Sequence, residues 1–323
     1  MSLLLLSLNE IKQSITMEQA INAMEHAFMQ LANNQVKLPL RTGVSIEDKQ
    51  ALMLTMPAYL EKDKALGLKV ISIFPNNLAQ NKPSINGLIL LLDANTGEAK
   101  AIMDAGYLTA LRTGAVSGLA TKYFSIENAE HVAIIGTGAQ AHTQLEAIAA
   151  VRPIKRVSVW SRNIKNANAF VEKWKNRFDI KAYETVSLAI KDADIICTAT
   201  SSTEPLIQLQ DLQSHVHINA IGSHSKSMRE IGNDVLNQSV VIVDQLEAAL
   251  AESGEIISAM DQNQLKKESI IEIGHWLLNK EPHYHNQLTV FKSVGLAIQD
   301  LSVAEIVYNH ALSNSLGLQF SLT

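Results

Sequence analysis

The chain has 323 residues, enough for two domains with cores of their own, and 47% of them are hydrophobic, as in an ordinary globular protein. Its 27 Lys and Arg against 32 Asp and Glu give a formal charge of −5 without a long basic run, which excludes the electrostatic footprint of a nucleic-acid binder. Cys197 is the only cysteine, so no intrachain disulfide is possible, and no segment approaches the roughly 20 apolar residues of a membrane helix; the chain reads as cytoplasmic.

In chain order, residues 3–6 read as a first strand, because four leucines without a basic lead-in that run into Asn9-Glu10-Ile11-Lys12 make no signal peptide. Residues 17–33 place Ile21, Met24, Ala27, Phe28 and Leu31 at helical spacing. Strand-like runs follow at 51–56, 67–74 and 87–92, and Asp93-Ala94-Asn95-Thr96-Gly97 supplies a turn before the run at 98–103. Residues 104–124, rich in Ala, Leu and Thr, read as a helical connection. Lys69 interrupts its apolar strand, and a lysine in that setting reads by itself as exposed on an edge strand.

The apolar run Ala133-Ile134-Ile135 then breaks into Gly136-Thr137-Gly138-Ala139-Gln140-Ala141, a G-x-G-x-x-A fingerprint. Gly136 permits the tight strand-to-helix turn, Gly138 lets the backbone approach a pyrophosphate, and small Ala141 allows close helix packing. The free N–H groups and dipole of the following helix face the phosphates. Two glycines near a helix start carry little alone, so the context decides. Runs at 156–162, 193–200, 217–223 and 240–244, with a helix-like segment at 167–177, continue a βαβα alternation that folds as a parallel sheet covered by helices. After 244 the patterns read as helical through 262–278 and 290–312. The expected fold class is α/β, with a Rossmann-type parallel-sheet domain behind a strand-rich α+β domain and the active site in a cleft at the carboxyl ends of the strands.

After the second strand of such a module, a cofactor with a free ribose 2′-hydroxyl usually meets an acid, but this chain has Ser161-Arg162-Asn163. Arg162 can pair with a 2′-phosphate and its two neighbours can donate hydrogen bonds, so NADP(H) is expected ahead of NAD(H). Thr198-Ala199-Thr200 closes a strand at the cofactor edge, and Gly222 follows the next strand. Cys197 reads as buried packing. His215 with His217 and His283 with His285 form H-x-H pairs, but no carboxylate or cysteine set completes a site, so no metal is expected.

The sequence resembles the ornithine cyclodeaminase/mu-crystallin family over nearly its whole length. The markers are Thr55-Met56-Pro57-Ala58-Tyr59, Gly67-Leu68-Lys69-Val70, Leu108-Thr109-Ala110-Leu111-Arg112-Thr113-Gly114-Ala115, the Gly136 fingerprint, and Thr289-Val290-Phe291-Lys292-Ser293-Val294-Gly295 with Asp300. The resemblance implies a homodimer of two-domain subunits. Residues 1–112 with 300–323 would form the substrate and dimerisation domain, and 113–299 the dinucleotide-binding domain. It implies that Lys69 is the catalytic lysine and that Arg41, Met56 and Arg112 meet the substrate, the arginines at a carboxylate, which points to a small α-amino or α-imino acid. It also places Arg112, Thr113, Ser293 and Gly295 at the cofactor.

One departure stands out: cyclodeaminases and archaeal alanine dehydrogenases of this family carry an aspartate where this chain has His224. A carboxylate suits removal of protons from an ammonium group, whereas an imidazole can give a proton to a substrate nitrogen. The expected reaction is therefore NAD(P)H-dependent reduction of a cyclic ketimine acid, such as Δ1-pyrroline-2-carboxylate or Δ1-piperideine-2-carboxylate, with Lys69 or His224 as proton donor. The alternatives are ornithine cyclodeamination to proline and ammonia, alanine dehydrogenation, and a protein that holds NADPH without turnover.

Overall fold

The computed structural model describes residues 2–80 and 82–321, without the side chain of Leu78. The chain divides into two compact units, Met1–Arg112 with Leu296–Thr323, and Thr113–Gly295. Its elements are β1 (Ser2–Leu6), α1 (Leu8–Ser14), α2 (Met17–Ala32), β2 (Val36–Lys37), β3 (Thr42–Ile46), β4 (Ala51–Leu60), β5 (Ala65–Ile73), β6 (Ile85–Asp93), β7 (Ala99–Asp104) and α3 (Ala105–Phe124). There follow β8 (His131–Ile135), α4 (Ala139–Val151), β9 (Arg156–Trp160), α5 (Ile164–Trp174), β10 (Asp179–Tyr183), α6 (Val186–Ile190), β11 (Ile195–Thr198) and β12 (His217–Ala220). The chain continues through α7 (Asn233–Gln238), β13 (Val240–Val243), α8 (Leu246–Glu252), α9 (Gly254–Asp261), β14 (Ile271–Glu272), α10 (Ile273–Asn279), β15 (Thr289–Lys292), α11 (Ala297–Ser313) and β16 (Leu318–Ser321).

In the first unit the strands lie in the order β16-β1-β7-β6-β5-β4-β2, with β3 also paired to β4. Only β1 and β7 run parallel in this sheet. Helix α2 buries Ala20, Ile21, Met24, Ala27 and Phe28, and a Thr16/Gln19 capping box fixes its start. Pro57 is tolerated within β4 because β3 pairs only as far as Thr55 and β2 only from Tyr59, so the ladder is open there on one side. The period of two sends Ala65, Gly67 and Lys69 of β5 to the face packed by α11, where the Leu301 side chain stands 3.1 Å from the Cβ position of Gly67. Leu66, Leu68 and Val70 point to the opposite, half-buried face.

In the second unit the sheet is wholly parallel, in the order β10-β9-β8-β11-β12-β15-β13-β14. Strands β8, β11, β12 and β15 are buried along their length; β8 and β11 are accordingly near-continuous apolar runs, whereas β12 and β15 bury polar side chains as well. The order reverses between β8 and β11. Open sheets of this kind bind ligands outside the carboxyl ends of the strands at that switch point.

Two stretches read as helical from the sequence fold otherwise. Within 290–312, Thr289–Lys292 is strand β15, wedged between β12 and β13, and the helix begins only at Ala297, after Gly295 at φ +86°. Within 262–278, helix α9 stops at Asp261 because Asn263 takes the left-handed conformation at φ 56°. The N–H groups of Asn263 and Gln264 then close on the carbonyls of Met260 and Ala259, a Schellman-type end, and helix resumes only at Ile273. The helix expected at 167–177 runs Ile164–Trp174, capped by Asn163. No helix among the described residues is long and apolar enough to cross a membrane.

Candidate functional site

Lys69 corrects the sequence reading most sharply: it lies on an inner strand between β4 and β6 and is 1% exposed. Its cross-strand neighbours are Met56, itself buried, and Ile89. An ammonium group so placed needs a counter-charge, and Asp300 near the start of α11 supplies it, accepting from Lys69 Nζ at 2.6 Å. The other oxygen of Asp300 accepts from Arg112 Nε at 3.0 Å, and Arg112 Nη1 donates to Gln299 Oε1 at 2.7 Å. Asp300 and Gln299 are wholly buried. Burial, with the positive charges of Arg112 and Arg41, pushes Lys69 down to about 8, against the opposing pull of Asp300. Lys69, Arg112 and Asp300 are thus one cluster within the first unit, and half-buried Arg41 is close enough to influence its charge. The Gln299 amide nitrogen beside Arg112 is buried with no hydrogen-bond partner among the described residues.

The second unit carries the fingerprint on the turn from β8 to α4. Gly136 has φ +102°, and a Cβ there would stand 2.4 Å from the Ala199 carbonyl oxygen, so the protein's own backbone demands glycine. At Gly138 a Cβ would meet nothing within 4 Å, and no side chain caps α4. The space beside Gly138 is open, the first N–H groups of α4 lack a side-chain acceptor, and the buried Gln140 Oε1 has no partner among the described residues. This turn fits a pyrophosphate. Buried Ala141 packs in the core below it, and the Thr113 carbonyl, on α3, accepts from Gln144 of α4 at 3.1 Å. Ser161 is half-buried, whereas Arg162 and Asn163 are exposed; Asn163 Oδ1 accepts from Lys165 N at 3.0 Å and so is engaged as a cap.

Other predicted cofactor residues are held by buried carboxylates that the sequence reading passed over. Glu230 accepts at Oε1 from Thr200 N and Thr200 Oγ1, both at 2.7 Å. Its Oε2 accepts from Thr198 Oγ1 and Gly222 N, both at 2.8 Å, and from Ser223 N at 3.2 Å. Asp244 gathers the residues after β15, accepting from Ser293 Oγ at 2.7 Å and from Val294 N and Gly295 N at 3.0 Å. Glu255 accepts from Ser223 Oγ at 2.8 Å and pairs with buried Lys292 at 3.5 Å. Burial pushes the carboxyls of Glu230 and Asp244 up, while their donors pull the other way. His224 is exposed, with Nδ1 at 2.9 Å from the Gly222 carbonyl.

Cys197 is buried, and burial pushes its thiol far up, so it is inert packing. His217 is buried between Thr289 Oγ1 and Asn219 Oδ1 and is pushed down to about 3 by burial. Among the described residues no group of His, Cys, Asp and Glu could hold a metal ion.

A doubly wound parallel sheet with a glycine fingerprint at its switch point, joined in one chain to a buried lysine–carboxylate–arginine cluster, defines a protein of the dinucleotide-binding α/β class. The chain belongs to the ornithine cyclodeaminase/mu-crystallin family, whose model matches residues 1–315. It is 36% identical over 321 residues to a Δ1-pyrroline-2-carboxylate reductase of Bacillus cereus, with 98% of each chain covered. Among solved structures, the Δ1-pyrroline-2-carboxylate reductase of Thermococcus litoralis in complex with NADH and L-proline superposes with a TM-score of 0.94 at 37% identity, over 98% of this chain and 99% of that one. An archaeal alanine dehydrogenase dimer with bound NAD gives a TM-score of 0.93 at 32% identity over the whole of both chains.

Proposed function

We propose that the chain is an NAD(P)H-dependent reductase of cyclic ketimine acids, converting Δ1-pyrroline-2-carboxylate to L-proline. The observation that carries this reading is the sharing of Asp300 between Lys69 and Arg112, which sets a proton donor of near-neutral acidity beside a guanidinium suited to a carboxylate. The activities named for the Bacillus and Thermococcus relatives support it.

A reduced nicotinamide supplies a hydride for the C=N carbon. Arg112 and Arg41 hold the substrate carboxylate, and the orphaned Gln299 amide adds a donor beside them. Lys69 delivers the proton that the ring nitrogen gains, so that imine, NAD(P)H and one proton give amino acid and NAD(P)⁺. Exposed His224 takes the place of the acid that would serve ammonium deprotonation, which argues against cyclodeamination. Arg162, with no acid at 161–163, favours NADPH ahead of NADH. The working form in this reading is a homodimer. Alanine dehydrogenation is the second reading, favoured by the likeness to the archaeal enzyme.

The test follows nicotinamide absorbance with NADPH or NADH and either Δ1-pyrroline-2-carboxylate or pyruvate plus ammonia. Cofactor oxidation with the cyclic imine alone is expected, and Arg162→Ala should cut kcat/KM for NADPH about tenfold relative to NADH. Turnover only with pyruvate and ammonia would move the assignment to alanine dehydrogenase, and no turnover with either would overturn the reductase.

A further inference from the structure

Glu230 has no exposed surface and no place in the chemistry above, yet five donors converge on its carboxyl group. That number matches an ionised carboxylate, which accepts at both oxygens. The donors come from two loops only: Thr198 and Thr200 at the end of β11, and Gly222 and Ser223 after β12. Glu230 is itself immobilised, because its N–H donates to Glu255 Oε1 at 3.0 Å and its carbonyl accepts from Leu206 N and Ile207 N. A methyl group at Gly222 would stand 2.2 Å from the Thr200 carbonyl oxygen and 2.5 Å from Glu230 Oε1, so the loop after β12 packs closely against both the loop after β11 and the carboxylate. The loops it joins lie on the β11 side of the switch point, whereas the fingerprint follows β8 and Arg162 follows β9. In a doubly wound sheet one mononucleotide half of the cofactor belongs to each side.

We propose that Glu230 is a positioning residue for the nicotinamide half of the cofactor, fixing the spacing between the loops after β11 and β12. The proposal rests on the nicotinamide reading above. Replacement by glutamine keeps the volume but sets an N–H₂ group against either Thr200 N or Gly222 N and Ser223 N, so one of the two loops loses its acceptor.

The experiment measures equilibrium binding of NADH, NADPH and ADP to folded wild type and Glu230→Gln by fluorescence titration, with circular dichroism as the check on folding. NADH and NADPH should bind the variant at least about tenfold more weakly, while ADP, which lacks the nicotinamide half, stays within about twofold. A merely structural role would reduce the folded fraction and weaken all three ligands alike, or none of them, and either pattern overturns the proposal. If Glu230→Gln does not fold, Thr198→Val and Thr200→Val each remove one hydroxyl donor and should show the same split at about threefold; equal losses for NADH and ADP there overturn it too. A wild type that binds neither NADH nor NADPH defeats the nicotinamide reading itself.

Discussion

At the scale of single residues, the proposed mechanism turns on how Lys69 is charged. Burial, helped by the positive charges of Arg112 and Arg41, lowers its pKa to about 8 against the opposing pull of Asp300. A proton donor must be protonated, so kcat/KM for imine reduction should be level below pH 8 and fall as pH rises through it. Asp300→Asn keeps the shape and removes the negative charge, which leaves the ammonium form less favoured. The falling limb should then move to lower pH by roughly one unit or more. An unmoved limb in an Asp300→Asn enzyme that still turns over would show that another group donates the proton. A lysine with a depressed folded pKa binds its proton more weakly than the unfolded chain does, so folding stability rises with pH between about 8 and the ordinary lysine range, and its full penalty is present below.

At the scale of elements, the two fingerprint glycines separate a folding requirement from a binding one. Gly136→Ala forces a side chain into the left-handed region and against the Ala199 carbonyl, so it should cost at least about 2 kcal/mol of stability, read as a lower denaturation midpoint. Gly138→Ala meets no protein atom within 4 Å and has φ −72°, so the midpoint should not move, while NADH affinity falls because the methyl group occupies the space beside the phosphate-facing backbone. Loss of NADH binding from Gly138→Ala without loss of stability is the signature; unchanged binding would remove the fingerprint from the site. Much of this module was legible in the sequence because parallel strands buried on both faces are short apolar runs punctuated by turns. Strand β15 was not, since Thr289-Val290-Phe291-Lys292 carries a lysine whose charge is met by groups distant in sequence, among them Glu255, Glu230 and the Ser223 carbonyl. The same reason hid the burial of Lys69, whose partner Asp300 is 231 positions away. Local pattern reports periodicity, whereas an ion pair closed by topology leaves no local trace.

At the scale of the whole molecule, the first unit leaves an apolar sheet face in search of a partner. Leu66, Leu68 and Val70 of β5 share that face with Leu88 and Leu90 of β6, opposite the face that α11 packs. Leu88 is 54% exposed, and Val44 of β3, on the same face through its pairing with Met53 and Ser72, is 52% exposed. A monomer rarely leaves apolar residues so gathered in water, and a face of this kind, met by its copy about a two-fold axis, is a self-complementary interface. The archaeal alanine dehydrogenase of similar structure is a dimer. Sedimentation should therefore give twice the 35.4 kDa chain mass. Leu88→Asp, at a position already largely in solvent, should leave the subunit folded but place one unpaired carboxylate from each copy in the contact, where burial without a partner is unfavourable. Its sedimenting mass should fall to that of one chain while NADH binding persists, because the fingerprint and the loops that Glu230 joins all lie within Thr113–Gly295. A wild-type chain that sediments as a monomer, or a Leu88→Asp variant that remains a dimer, would show that the contact is made elsewhere or not at all.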